Sequence, residues 1–446
     1  MEVVIAVVSS LPDSNESSSQ STKNFIRKLK NIRADLVDKM GYSKDELVPP
    51  AWIDSDYLKR VLETDLKETI QIKSYTICPA ASATDHFTSL IFRTRITYSS
   101  DSLDNGDISL IIKTLPTEDG LKKDIAECYD IFAFEGSIFS KVLPVCHKML
   151  RDINCQDILG ARIFYQSSEP QKNLVLQDLK QFGYSTPSRN YLSAEECEAM
   201  FNKLALLHAT TFKMHADGNT DVSKFKGVFL NMPDIEDVFL FANAKDLLAE
   251  VMKDIPGLEE YSPKLKALSN KALIDKCIQV INEPGSYNVL NHGDLYAKNM
   301  MVKTTENGSD IVFVDYQLCH WGSPAVDVAY IASEIPPRNR TDAIRHYFDV
   351  FTRTLQKLGY QGETPTFAQL ETDLKRRQSL ELYVLIVSAP FMAVDETSTN
   401  TEGMDIDTFM ADRNFIIQSF KDEQFVALLK DLMPIYLEEG YFDHLL

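Results

Sequence analysis

The sequence predicts an α+β protein with two lobes, a small antiparallel β-sheet lobe followed by a larger, mainly helical lobe. Its 446 residues exceed what one hydrophobic core usually holds. Segments 70–77, 88–98 and 109–115 are rich in the β-branched and aromatic residues typical of strands. After residue 193 the apolar residues recur at helical spacing instead. We therefore expect a sheet lobe at residues 67–179 and a helical lobe at residues 180–446.

The first 66 residues should lie outside this two-lobed body. Residues 9–22 are polar and rich in serine, which predicts a flexible tail over residues 1–22. Helical spacing within residues 23–40 and 52–66 predicts a helical extension over 23–66. The apolar run near the start is too short for a membrane span, and Glu2 stands where a secretory signal would be basic. We expect neither a span nor a targeting segment.

Charge and cysteine usage bound the partners and the compartment. The net charge is -19, from 46 basic and 65 acidic residues, and such a surface repels nucleic acid. Seven cysteines, an odd number without any Cys-x-x-Cys spacing, indicate reduced thiols. We therefore expect a cytoplasmic protein that does not bind nucleic acid. The sequence does not predict an oligomeric state.

The remaining elements follow from strand character, capping signals and helical periodicity. Segments 162–165 and 173–176 are typical of strands. Ser193, with Glu196 three residues later, has the spacing of a capping box at a helix start. His208 lies on the apolar face of that helix without a second His or Cys at metal spacing, so we expect a buried, hydrogen-bonded residue. Helical spacing also predicts helices at 236–255, 262–282, 340–358, 366–388 and 405–431.

The candidate metal site lies in a predicted hairpin. Two apolar runs, 300–302 and 311–314, flank a polar segment that contains Asn307-Gly308, a pair suited to a chain reversal. A reversal centred on Asn307 would set Asn299 opposite Asp315 at the open end. Mg2+ is held by few protein oxygens and takes its other ligands from water and phosphates. We therefore predict Asn299 and Asp315 as metal ligands.

Asp294 is the candidate catalytic base. It lies five residues before Asn299, on the loop that leads into the first strand of the hairpin. The spacing Asp-x4-Asn, followed by an Asp at the end of the next strand, is that of kinase-type phosphoryl transfer. Each of these residues alone is more often turn chemistry. Their joint occurrence favours a functional site.

Three motifs carry a resemblance to a known family. His292-Gly293-Asp294-Leu295-Tyr296-x-x-Asn299, then Val314-Asp315-Tyr316-Gln317 and Asp327-Val328-Ala329, resemble the choline/aminoglycoside-kinase-like phosphotransferases. Within these the chain is most similar to the ecdysteroid-kinase-like family of insects and other invertebrates, over about residues 55–420. The resemblance implies a protein-kinase-like fold, ATP and Mg2+ as cofactors, and a small-molecule alcohol as substrate. An ecdysteroid or other sterol-like alcohol is expected first, with choline or a xenobiotic alcohol as alternatives.

The resemblance also implies roles in the first lobe. Lys113, at the end of an apolar strand, matches the lysine that holds nucleotide phosphates, although a lone strand-end lysine is more often solvated. Glu135 matches its ion-pair partner. Gln177 and Leu179 flank Asp178 where the family has a Glu-Asp-Leu linker, which predicts an adenine-facing hinge. Ser82 lies in the phosphate-loop position, within a segment that lacks the glycine usual in related families.

In the second lobe, the resemblance makes Asp327 the residue that orients the catalytic loop by accepting backbone hydrogen bonds. A first-turn acid favoured by the helix dipole explains Asp327 equally well. His292 is expected to support the site. Tyr383 and Phe391 are candidates for an apolar acceptor pocket, although aromatic residues on helices are more often core.

Two other functions are weighed against a small-molecule kinase. The glycine-free phosphate loop favours a catalytically weak binding protein that keeps the kinase-like body. Protein phosphorylation is the least favoured, because only eleven residues separate Asp315 from Asp327. That stretch is too short for an activation segment that docks a polypeptide.

Overall fold

The computed structural model describes residues 48–80, 89–117, 123, 126–127, 130–187, 192–218, 220–227, 239–306, 308–332, 335, 337–392 and 412–443. The predicted tail at 1–22, the predicted helix at 23–40 and Ser82 with its glycine-free segment lie outside these residues, as does the side chain of Phe391.

Five strands form one antiparallel sheet, in the order β1-β2-β3-β5-β4. All five correspond to predicted segments, with ends that differ by at most three residues. The bounds are β1 Gln71–Pro79, β2 Leu90–Ser99, β3 Gly106–Thr114, β4 Ile163–Ser167 and β5 Asn173–Gln177. Strand β2 alternates between buried and more exposed positions, as a strand with one covered face should.

Helix α1 (Ser55–Leu66) covers one face of this sheet. It begins at Asp54, whose carboxylate accepts a hydrogen bond from the backbone N–H of Tyr57 at 2.8 Å. The buried Tyr57 donates its hydroxyl to Asn173 of β5 at 2.7 Å. On the other side of the sheet α2 (Ile131–Ser137) continues through a single π-helical turn, Ile138–Val142, into α3 (Leu143–Asp152). Glu135 lies on α2, under the sheet.

The rest of the described chain is mainly helical. Helix α4 (Ala194–Ala216) has the predicted capping box, because Ser193 and Glu196 each accept the other's backbone N–H. Its apolar residues join one large core with the helices that follow. These are α5 Phe239–Met252, α6 Ser262–Ala267, α7 Asn270–Asn282, α8 Ala325–Ala332, α9 Pro337–Lys357, α10 Phe367–Arg376, α11 Gln378–Met392, α12 Arg413–Ser419 and α13 Glu423–Glu438.

Three helices predicted as single segments are each divided in two. The predicted helix 262–282 breaks because the side chain of Ser269 caps a new helix by accepting from the N–H of Ala272 at 3.3 Å. Asp422 does the same within 405–431, accepting from Gln424 and Phe425. The third break, in 366–388, falls at Arg377. Helical periodicity alone did not reveal these internal caps.

Four short strands lie within the helical part. They are β6 (Val289–Asn291), β7 (Met300–Thr305), β8 (Gly308–Phe313) and β9 (His320–Gly322), with β6 paired to β9 and β7 to β8. The sheet-then-helix order confirms the α+β class, while the predicted domain limits stay predictions. None of the helices in the described ranges is long and apolar enough to cross a bilayer. The six cysteines in those ranges are free thiols.

Candidate active site

The predicted hairpin exists, but its register is shifted by one residue. Met300 pairs with Phe313 and Thr305 with Gly308, so the partner of each β7 residue lies one position nearer the N-terminus than a turn centred on Asn307 requires. Asn299 therefore faces Val314, whose N–H donates to the Asn299 carbonyl at 3.0 Å. The predicted direct pairing of Asn299 with Asp315 is wrong. Asp315 follows immediately after Val314, with a left-handed backbone at φ 65°.

Asp294 and Asn299 form one buried unit. The Nδ2 of Asn299 donates to both the carbonyl oxygen and the Oδ2 of Asp294, each at 2.9 Å. The other carboxylate oxygen, Oδ1, is buried and has no hydrogen-bond partner in the part of the chain that the structure describes. Burial raises the pKa of Asp294 to about 7, and the Asp315 carboxylate adds to the shift.

Lys113 lies between two acids from distant parts of the chain. Its Nζ is 3.1 Å from Oε1 and 3.0 Å from Oε2 of Glu135, and 2.7 Å from Oδ1 of Asp315. Lys113 is 4 % exposed and Glu135 1 %, so this contact is a buried ion pair. Burial raises the pKa of Glu135, against the opposing effect of the Lys113 ammonium. Lys113 of strand β3 thus connects helix α2, through Glu135, with the segment that follows the hairpin, through Asp315.

Asp327, on α8, holds the backbone of the loop that carries Asp294. Its two carboxylate oxygens accept from the N–H of His292 at 2.6 Å and of Gly293 at 2.9 Å. His208 donates its Nε2 to the same carboxylate at 3.1 Å, since its Nδ1 accepts the Tyr347 hydroxyl at 2.7 Å. Burial opposes the ionisation of Asp327. The hydrogen bond from His208, the electrostatic effects of His208 and His292, and the N–H of Gly293 together hold the pKa of Asp327 below the usual range. His208 is the buried, hydrogen-bonded residue predicted.

His292 connects the loop to the end of the hairpin. Its Nε2 donates to the Val314 carbonyl at 2.9 Å, and its ring packs 4.8 Å from that of Tyr316. Burial lowers the pKa of His292, which keeps the imidazole neutral. Its neighbour Gly293 has φ 84°, and a Cβ there would lie 2.1 Å from the Leu318 carbonyl oxygen. Only glycine fits this position.

The predicted hinge residues are tied into the sheet. The N–H of Gln177 donates to the Arg162 carbonyl at 2.8 Å, and its side-chain oxygen accepts from the Arg162 N–H at 3.3 Å. Leu179 is buried. Between them Asp178 binds the Arg93 Nε at 2.8 Å and the Ser109 hydroxyl at 2.7 Å. Contact of Gln177, Leu179 or Ser82 with a nucleotide stays a prediction.

The donor set suits Mg2+. Asp315 supplies a carboxylate, and Asn299 keeps its amide oxygen, because its nitrogen makes both hydrogen bonds to Asp294. The unpartnered Asp294 Oδ1 adds a buried carboxyl oxygen that interacts electrostatically with Asp315. Mg2+ prefers oxygen donors and needs few of them from the protein when phosphates supply the rest. A group of three or more His, Cys, Asp or Glu residues placed to hold a metal is absent from the described ranges.

Some contributors to the site were not predicted. Gln317 donates its side-chain nitrogen to Asp315 Oδ1, and Asn291 accepts from the Asp327 N–H at 3.2 Å. Gln317 belongs to one of the motifs that carry the resemblance, which indicated that it lies near the site. The motif did not indicate its hydrogen bond to Asp315. The partnership of His208 with Asp327 had no signal, because the two are 119 positions apart.

The structure is similar to an ethanolamine kinase of Plasmodium vivax, with a TM-score of 0.40 and 15% identity over 95% of this chain and 97% of that one. It is similar to a choline kinase of Cryptosporidium parvum, with a TM-score of 0.41 and 12% identity over 87% and 98%. It is also similar to a macrolide 2'-phosphotransferase of Brachybacterium faecium, with a TM-score of 0.33 and 14% identity over 72% of this chain and 97% of that one.

No curated protein sequence matches this chain significantly. The sequence model of the ecdysteroid kinase-like family matches residues 83–360, which is more than half of the chain and includes the residues from Lys113 to Asp327 described above. The match confirms the predicted resemblance. The chain belongs to the ecdysteroid kinase-like family.

Proposed function

We propose that this protein transfers the γ-phosphoryl group of ATP to a hydroxyl group of an ecdysteroid or a similar sterol-like alcohol. The family membership gives the coarser part of this statement, a small-molecule phosphotransferase. The acceptor, the use of Mg2+ and the roles of individual residues are the proposal. The free thiols also favour a reducing compartment, such as the cytoplasm.

One observation supports the proposal most. The Asp294 carboxylate has one oxygen held by Asn299 while the other is buried without a partner, within reach of the charge of Asp315. An unpartnered buried carboxylate oxygen costs free energy, so proteins keep such a group mainly where a ligand completes it. The hydroxyl proton of an alcohol would complete this one.

The residues perform four tasks. Asp294 accepts the hydroxyl proton at Oδ1 while the alcohol oxygen forms a bond to the γ-phosphorus and the bond from that phosphorus to the ADP oxygen breaks. Asn299 and Asp315 would hold Mg2+, which when bound neutralises the phosphate charge. Lys113, kept in place by Glu135, binds the nucleotide phosphates. The Asp327 carboxylate keeps the loop of Asp294 in position.

The helices beside the loop favour an acceptor with an apolar body. Tyr383 on α11 is 2 % exposed and its ring stacks on Phe241 of α5 at 6.4 Å. Its hydroxyl has no hydrogen-bond partner in the described part of the chain. Burial is the main cause that raises the pKa of Tyr330, and the charges of Asp294 and Tyr383 raise it further. The three groups therefore interact electrostatically. A hydroxyl group of a sterol-like acceptor would complete the Tyr383 hydroxyl.

The test is a transfer assay with the full chain, Mg2+ and ATP labelled at the γ-phosphate. The acceptor panel contains an ecdysteroid, a sterol with a single hydroxyl, choline and a xenobiotic alcohol. We expect labelled product with the ecdysteroid, lost on Asp294→Asn and kept by the exposed control Asp349→Asn. Label on choline alone contradicts the proposed acceptor. Tight binding of acceptor and ATP without transfer would instead identify a binding protein.

A further inference from the structure

A second buried carboxylate, Asp373 on α10, contacts the segments before and after residues 292–299, the loop that carries Asp294 and is called the catalytic loop below. It is 0 % exposed and falls beyond residues 83–360, which the family model matches. Its Oδ2 accepts from the N–H of Ser286 at 2.8 Å and from the hydroxyl of Ser323 at 2.8 Å. Its Oδ1 accepts the Ser286 hydroxyl at 3.0 Å. Both carboxylate oxygens therefore accept hydrogen bonds, and the donors belong to two separate segments of the chain.

These two segments lead directly to the two sides of the catalytic loop. Ser286 belongs to the turn before β6, the strand that runs into His292 and Asp294. Ser323 follows β9, the partner of β6, and starts the helix that carries Asp327. The Ser323 hydroxyl also accepts from the Ala325 N–H at 3.3 Å, which caps this helix.

The space around Asp373 is tightly filled. A Cβ on Gly285 would lie 2.8 Å from Asp373 Oδ2 and 2.5 Å from the Ser323 Cβ. Arg377, one turn later on the chain, donates to the Asp373 carbonyl at 3.1 Å and to the Glu283 carbonyl at 3.0 Å. The turn before β6 is thus fixed by both its side-chain and its backbone groups, and it has little freedom to shift.

We propose that Asp373 is a positioning residue for the catalytic loop, acting through Ser286 and Ser323. It fixes the start of β6 and the start of α8 relative to each other. The catalytic loop follows β6 and is held by the Asp327 carboxylate of α8. A displacement of α8 would move Asp327 away from the N–H groups of His292 and Gly293. The kinetic consequence of this inference rests on the proposed function, but the structural one does not.

The test compares two serine variants that remove the same atom. Ser323→Ala deletes the hydroxyl that links Asp373 to α8. Ser262→Ala is the matched control, because Ser262 is equally buried and donates to the Ala249 carbonyl at 2.6 Å, in a different part of the helical lobe. Amide hydrogen exchange is followed in the peptide that contains residues 289–294. We expect exchange of the His292 and Gly293 amides to be about fivefold faster in Ser323→Ala.

In Ser262→Ala the same peptide should exchange at the wild-type rate. In the transfer assay Ser323→Ala should lower kcat by about tenfold and leave the KM for ATP unchanged, since a small displacement of reacting groups affects turnover first. Asp373→Asn, which keeps one acceptor oxygen, should behave like Ser323→Ala. Equal exchange and equal kcat in the two serine variants would overturn the proposal.

The exchange experiment also separates this inference from the proposed function. If the wild-type chain phosphorylates no alcohol, the proposed function fails, while the amide exchange of residues 289–294 still decides whether Asp373 positions the loop. If transfer is observed but Ser323→Ala matches Ser262→Ala in both measurements, the enzyme assignment stands and Asp373 serves stability alone.

Discussion

The side-chain nitrogen of Asn299 donates to two oxygens of one residue, the carbonyl oxygen and the Oδ2 of Asp294, each at 2.9 Å. A single amide therefore fixes both the backbone and the side chain of Asp294. In the proposed mechanism the oxygen of the same amide would bind the cation. Because one side chain serves both, changing Asn299 cannot separate loss of the proposed metal ligand from loss of the positioning of the proposed base. Variants of Asp294 are more informative.

Asp294→Asn should abolish transfer without loss of stability. The amide can still accept from Asn299, but it cannot take a proton, so the rate should fall by about 10²–10⁴-fold. The buried carboxylate charge is removed as well, which relieves a desolvation cost. We expect a thermal unfolding midpoint at or above that of the wild type. Differential scanning calorimetry and the labelled-ATP assay measure the two effects on one preparation.

An Asp294→Asn protein that retains most of its transfer rate would exclude Asp294 as the base. A protein that unfolds at a markedly lower temperature would indicate that the negative charge of Asp294 stabilises the fold. The exposed variant Asp349→Asn controls for the chemical change itself.

Lys113→Met should destabilise the fold, and a second change should restore part of the loss. The substitution leaves the Glu135 and Asp315 carboxylates together in a buried site without their shared cation. Removing one partner of a buried ion pair typically costs about 3–5 kcal/mol. Glu135→Gln in the same background removes one of the stranded charges, so the double variant should be more stable than Lys113→Met. Urea unfolding of the wild type, both single variants and the double variant measures the coupling.

If the effects of the two substitutions on the free energy of unfolding simply add, the contact between Lys113 and Glu135 contributes nothing to the fold. Transfer activity should be lost in both variants that lack Lys113. Glu135→Gln should retain some activity, because its amide oxygen can still accept a hydrogen bond from Lys113.

The sequence predicted those features that depend on neighbouring residues. Alternation and residue type placed all five strands of the sheet, and Ser193 with Glu196 marked the start of α4. The hairpin register was missed by one position, because Asn307-Gly308 indicates a reversal but not which pair closes it. In the structure Thr305 pairs with Gly308, and its hydroxyl donates to the Gly308 carbonyl at 2.8 Å. This one-residue shift sets Val314, rather than Asp315, opposite Asn299.

The contacts that assemble the site were beyond a single sequence. His208 and Asp327 are 119 positions apart, Lys113 and Asp315 are 202 apart, and Asp373 and Ser286 are 87 apart. The resemblance suggested that Lys113 and Asp327 matter, because their motifs are local. It gave no indication of Asp373, since an Asp in an amphipathic helix usually faces solvent. Packing of α10 against the turn before β6 and the start of α8 buries this carboxylate.

Tyr383→Phe should change acceptor use while leaving the fold intact. The Tyr383 hydroxyl is buried without a partner among the described residues, so its removal costs no hydrogen bond within that part of the protein. We expect an unchanged or slightly raised unfolding temperature. If an acceptor hydroxyl completes this group, the KM for an ecdysteroid should rise by about tenfold. The KM for a sterol with a single hydroxyl should not change, and equal changes for both acceptors would contradict the assignment.

Acidification should weaken the contribution of His147 to stability between about pH 6.5 and pH 4. Burial lowers the pKa of His147 to about 4, with the charges of Arg151 and Lys203 acting in the same direction. Its Nε2 accepts the Leu159 N–H at 2.8 Å, a contact that requires the neutral ring. In the unfolded chain the histidine has a pKa of about 6.5. Below that pH the unfolded state therefore binds a proton at His147 that the folded state does not, and the contribution of this residue to stability falls as the pH drops towards 4.

His147→Gln isolates this contribution. Glutamine can accept from Leu159 through its side-chain oxygen but does not titrate, so the unfolding temperature of the variant should fall less than that of the wild type between pH 7 and pH 5. Burial also lowers the pKa of His320 to about 4, so part of the acid sensitivity should persist in the variant. Thermal unfolding at several pH values in one buffer system measures the difference. Parallel curves for the two proteins would show that His147 is not protonated on unfolding in this range.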